Sequence, residues 1–94
     1  MTASPRLPEC PRVRDDVVFR ALAREWVVYD PVTRNLHVLN VTAAMVWSLC
    51  DGEHAVDHMV QEVRDAIEGA PPEDTVRRDV LGALETLASR GLLR

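Results

Sequence analysis

The most apolar stretch of the chain is VTAAMVWSLC, residues 41–50, in which only Thr42 and Ser48 are polar. A surface helix carries one apolar stripe, whereas a helix apolar almost all round is enclosed by other elements. The pattern therefore predicts a central helix for which the rest of the chain supplies walls. Asn40 or Thr42 can cap it, because a short polar side chain accepts the free N–H groups of a first turn. Asp51-Gly52 ends it, glycine tolerating the left-handed conformation. Two amphipathic helices follow. In AVDHMVQEVRDAIEG the residues Val56, Met59, Val60, Val63 and Ile67 make one stripe, and Asp57, Gln61, Glu62 and Asp65 point to water. Its start is poorly capped, since Ala55 stands where Ser or Thr is favoured. After the connection APPED, the segment DTVRRDVLGALETLASRG predicts a third helix ending at Gly91, with Val76, Val80, Ala83, Leu84 and Leu87 as its core stripe.

Upstream the pattern changes to that of strands. VVFRALAREWVVYDP reads as two, with Val17, Val18 and Phe19 in the first and EWVVYD as the second. Asp30-Pro31 followed by VTRN is a turn, and LHVLN returns as a short third strand. An antiparallel meander is the economical arrangement. Residues 1–11 hold three prolines and little periodicity, which predicts a flexible or loosely docked arm before a single domain over residues 12–94. The order β-β-β-α-α-α is that of a small α+β protein.

Composition narrows the classes. With 94 residues, 47% apolar and 28% charged, the chain suits one globular core and not a disordered segment. No apolar run approaches the roughly 20 residues that span a bilayer. The proline-broken start MTASPRLPECPRVRDD lacks the apolar core of a secretory signal, so a cytoplasmic protein without membrane contact is expected. Cys10 and Cys50 are read as free thiols, Cys50 as a small core residue. The net charge of −4 is uneven: residues 1–47 hold six Arg against five acids, and residues 48–94 five Arg against ten. The helical half is the acidic one.

Catalytic patterns are missing from the sequence: it has no glycine-rich phosphate loop, no nucleophile elbow and no His-Cys pairing at a recognisable spacing. Cys50, His54 and His58 recur every four residues, but Asp51-Gly52 breaks the helix between them and a structural zinc site needs a fourth ligand. Solvated histidines beside a core cysteine are the preferred reading, with no metal and no cofactor. Trp47 belongs to the core; Trp26 is placed equally in the core or in a groove wall. His37 is read as a half-buried strand residue, with ligand contact as the lesser alternative.

HVLNVTAAMVWSLCDG, the later Asp79-Val80 and the closing Leu87 to Leu93 (LASRGLL) resemble the PqqD family, named for pyrroloquinoline quinone biosynthesis protein D. Its members are also called RiPP recognition elements, after ribosomally made, post-translationally modified peptides. The resemblance covers roughly residues 12–94. It implies a winged-helix-like fold without an active site or cofactor, which binds the leader segment of a precursor peptide and presents it to a modifying enzyme, often a radical SAM enzyme. In that family the leader adds as a strand beside the third strand, in a groove with the third helix. Carried onto this chain, the peptide-binding residues are Leu36, His37, Val38 and Leu39 on the strand, and Arg77, Arg78, Leu81 and Leu84 on the helix.

The residues agree with that placement. A meander leaves unpaired backbone groups along its outer strands, and a peptide added at residues 36–39 gains main-chain hydrogen bonds. Arg77, Leu81, Leu84 and Ala88 follow helical spacing as a second stripe on the third helix, with Leu81 as its exposed apolar member. A groove floored by Leu81 and rimmed by Arg77 or Arg78 suits an acidic, leucine-bearing leader. Ala83 is small where the family often has a bulky residue, which deepens the groove or thins the core. The protein is expected to be a monomer or weak homodimer. The competing readings are a winged-helix DNA-binding regulator and an enzyme-docking module that binds no leader. The first is disfavoured because Glu73, Asp74, Asp79 and Glu85 cancel Arg77, Arg78 and Arg90 on the helix that would enter DNA.

Overall fold

The computed structural model describes residues 9–69 and 71–94. Strands β1 (Val18–Ala21), β2 (Trp26–Asp30) and β3 (Asn35–Leu39) precede helices α1 (Val41–Leu49), α2 (Val56–Ala66) and α3 (Glu73–Ser89). The sheet is an antiparallel meander in the order β1-β2-β3, so β3 forms one edge. This is the α+β order that the periodicity predicts. Most of the proposed arm lies outside the described residues. Within it, Pro11 is buried and its carbonyl accepts from Gly52 N–H at 3.1 Å.

Register decides what each strand side chain meets. Phe19, Val28 and His37 lie in one cross-strand row, and Trp26 pairs with Leu39 in the next row on the same face. That face carries the helices: Phe19 stacks on Trp47 of α1 with ring centroids 6.0 Å apart. The opposite face holds the row Val18, Tyr29 and Leu36, all exposed.

Helix α1 is the enclosed element. Ala43, Ala44, Val46 and Trp47 are buried, and α2, α3 and β3 all pack against it. Asn40 is its cap: Oδ1 accepts from Ala43 N–H at 2.8 Å, while Thr42 lies inside the helix. Met59, Val60 and Val63 of α2 and Val76, Val80, Leu84 and Leu87 of α3 complete the core. Ala55 provides no side-chain cap for α2. Ala83, assigned from the sequence to the core stripe, is only half-buried.

The end of α3 is fixed by a glycine. Gly91 has φ +71°, its N–H donates to Ala88 O at 3.0 Å, and Leu92 N–H donates to Leu87 O at 3.0 Å. This paired closure satisfies the last carbonyls and turns Leu92 into the core, where it is fully buried. The last residues then meet the segment before β1: Val13 bridges to Leu93, and Arg94 N–H donates to Arg12 O at 2.8 Å.

Candidate functional site

The free edge of β3 and the start of α1 face one side of α3 across a groove of about 590 Å³. Val38 and Leu39 line it from the strand, and Asn40, Thr42 and Ala43 from the turn into α1. On α3 the lining runs through Arg78, Asp79, Gly82, Ala83, Thr86 and Leu87 to Arg90. Small side chains, Gly82 and Ala83, occupy the middle of this face. At Gly82 a built Cβ meets nothing within 4 Å, so the space above it is open. Ala83, half-buried, lines the groove beside it.

The strand residues named from the sequence separate by the period of two. Leu36 and Val38 are exposed, at 62% and 54% of their full accessibility, and point to the outer face. Leu39 is buried. His37 is half-buried, and its Nε2 atom is enclosed with no hydrogen-bond partner among the described residues. Trp26 packs against the core without lining the groove.

On α3 the structure redraws the expected face. Leu84 is fully buried in the core, so it supports the helix from behind and presents nothing to a ligand in the groove. Arg77 donates to Asp57 at 2.6 Å and to Glu73 at 3.0 Å, which ties α3 to α2 on the far side of the helix. Those bonds raise the Arg77 pKa above its ordinary value, the Asp57 bond first. Leu81 is half-buried in a shallower depression with Asp74, Arg77, Arg78 and Glu85, on the flank of the groove. Only Arg78 of the four named helix residues lines the main groove. Consecutive helix residues stand about 100° apart, so the strip that meets β3 passes through Arg78, Gly82, Thr86 and Arg90, beside the strip chosen from the sequence. Thr86 and Arg90 were missed. They continue from Arg78 at the same helical spacing, but only packing reveals that this strip faces the sheet edge.

The cysteine and histidines are engaged elsewhere. Cys50 is buried, and desolvation pushes its thiol up to about 12, leaving it without thiolate character at neutral pH. His54 Nδ1 lies 2.9 Å from Asp51 Oδ1, and His58 Nε2 3.3 Å from Glu62. Among the described residues no three His, Cys, Asp or Glu side chains are grouped to hold a metal ion, and no helix is long and apolar enough to cross a membrane.

A short sheet with β3 at an edge, backed by helices and grooved along the last of them, leaves unpaired backbone groups beside the groove. The sequence profile of one family, described as coenzyme PQQ synthesis protein D (PqqD), matches residues 25–93, and the chain belongs to that family. Two solved structures share its fold. TbiB1, solved in complex with the TbiA(β) leader peptide, is 24% identical with a TM-score of 0.75, covering 88% of this chain and 94% of its own. A lasso peptide synthetase B1 complexed with its leader peptide is 19% identical with a TM-score of 0.77, covering 90% and 98%. No curated protein matches the chain at a significant level.

Proposed function

We propose that this protein is a non-catalytic peptide chaperone of the cytoplasm. It captures the leader segment of a ribosomally made precursor by strand addition beside β3 and presents the attached core peptide to a modifying enzyme, a radical SAM protein or similar. The observation that carries the reading is the unpaired edge of β3 lying beside the α3 groove, in a family fold whose solved relatives TbiB1 and lasso peptide synthetase B1 hold leader peptides. In this reading Leu36, His37, Val38 and Leu39 supply the pairing edge, Arg78 contacts the guest from α3, and Leu81 extends the contact along the flank.

The physical logic is that of a tether. A bound leader holds the core peptide near the enzyme at an effective concentration set by the linker, without new contacts to the core itself. Ordering a disordered segment costs about 2–5 kcal/mol, so backbone pairing needs side-chain anchors beside it. Amide-resolved NMR with the leader of its precursor, and separately with duplex DNA, tests the proposal. Shifts confined to residues 36–39 and to the groove face of α3 with peptide alone are expected. Shifts with DNA that fade on adding salt would instead support the regulator. Leu81→Glu is expected to weaken leader binding while leaving the amide spectrum of the free protein folded. Unchanged affinity would remove Leu81 from the site.

A further inference from the structure

Ten of the eleven arginines lie in the described residues and divide by what they touch. Arg12, Arg14, Arg77 and Arg94 each pair with a carboxylate. Arg78 and Arg90 are both exposed, both line the groove, and neither has an ion-pair partner among the described residues. Arg20, Arg24, Arg34 and Arg64 also lack one among the described residues, so what sets Arg78 and Arg90 apart is their shared place on the groove. Among the described residues Asp79 is the single carboxylate lining the groove, so that lining carries a net charge of +1 (two Arg, one Asp) on a molecule of net charge −4. Arg90 also sits at the C-terminal cap of α3, where a cation is favoured by the helix dipole. Arg78, in mid-helix, also borders the depression that holds Asp74 and Glu85, without an ion pair to either among the described residues.

We propose that Arg78 and Arg90 form a two-point clamp for carboxylates on the bound peptide, making the guest an acidic segment with two Asp or Glu residues at a set separation. This rests on the peptide-capture reading above and adds the chemistry of the guest. The two residues are twelve positions apart on one helix, which places their Cα atoms ~18 Å apart. A peptide extended along the groove rises ~3.3 Å per residue, so the same span takes five to six residues, roughly. Because alternate residues of a strand face the same way, the even spacing of about six places both carboxylates toward α3. Arginine suits the role, since its planar fork takes a carboxylate through two parallel hydrogen bonds.

A displayed library of random peptides long enough to span the groove, panned against the full chain, tests the clamp without knowledge of the natural guest. The expected winners carry two acids about six positions apart and shift the amides of residues 36–39. The variant Arg78→Glu/Arg90→Glu should bind them at least about tenfold more weakly, and the same peptides with both acids changed to Arg should regain binding to that variant. A circular dichroism melt shows whether the variant is folded. The charge-swapped peptides then separate lost contacts from lost structure. Winners that shift residues 36–39 yet bind the charge-reversed chain equally well would overturn the clamp and leave strand capture standing. A library that yields no peptide at the β3 edge would overturn both.

Discussion

At the scale of single residues, one buried charge organises the sheet's far corner. Asp30 ends β2 with its side chain almost wholly enclosed. Its carboxylate accepts from Arg14 at 2.9 and 3.2 Å and from Val32 N–H at 3.0 Å. The side chain therefore shapes the β2–β3 turn while the Arg14 guanidinium neutralises it. Arg14 also holds Asp16 at 2.6 Å and donates to Gly91 O at 3.0 Å. A buried carboxylate without such a partner would be strongly destabilising. The Arg14 bonds hold both Asp30 and Asp16 below the ordinary carboxylate range. A depressed folded pKa stabilises the protein above the unfolded value, about 3.9 for Asp, and that stability is lost as pH falls through the folded pKa. The urea midpoint should thus fall steeply below about pH 4. Arg14→Gln should lower the midpoint at neutral pH and flatten that acid limb. An acid limb of the same steepness in the variant would show that other carboxylates set it. His54 has the opposite sign: Asp51 raises its pKa, so its contribution is present below the ordinary histidine value and fades as pH rises.

At the scale of elements, α3 shows what a sequence can and cannot specify. Its core stripe is legible because Val76, Val80, Leu84 and Leu87 recur at helical spacing and Gly91 stops the helix. The capped, enclosed α1 and the meander are legible for the same kind of local reason. The face turned toward β3 is not legible, because it depends on how α3 rotates when α1 and α2 pack against it. Arg77 and Arg78 are neighbours in sequence, yet one is bound to α2 and the other lines the groove. Arg34 is hidden in another way: it adopts φ +63° in the β2–β3 turn, a conformation its side chain does not advertise. Gly82 gives the prediction at this scale. Glycine inside a helix costs about 1 kcal/mol against alanine, and space for a Cβ is open. Gly82→Ala should raise the melting midpoint while adding a methyl group to the groove floor, so peptide affinity should fall or hold as stability rises. A lower midpoint would mean that Gly82 is required by the fold and not by a guest.

At the scale of the whole molecule, the segment just before the sheet closes the structure. Pro11, Arg12, Val13 and Arg14 run between the loop after α1 and the chain end. Val13 N–H donates to Cys50 O at 2.9 Å, Gly52 N–H to Pro11 O at 3.1 Å, Arg14 N–H to Leu92 O at 2.9 Å and Arg94 N–H to Arg12 O at 2.8 Å. The sequence places Pro11 at the end of a proline-rich arm and assigns no element to Arg12, Val13 and Arg14, because the partners of this stretch lie 37 to 82 residues away (Cys50 from Val13, Arg94 from Arg12) and leave no local signal. Its bonds join three parts of the chain: the loop after α1, the end of α3 and, through Arg14, the β2–β3 turn. None of them touches the β3 edge or the groove face of α3. A chain beginning at Asp15 is therefore expected to lose stability without losing the site. Four backbone hydrogen bonds at about 1 kcal/mol net each, with the buried Pro11 and the partner of Asp30 also gone, are comparable to a large share of the stability of a domain this size. The urea midpoint should drop sharply, and at low temperature, where the truncated chain is still folded, peptide affinity at the β3 edge should match that of the full chain. An unchanged midpoint would show that the segment only lies on the surface. Lost affinity in a folded truncation would show that the stitch positions the groove, and would move Arg12 to Arg14 from the frame of the molecule into its function.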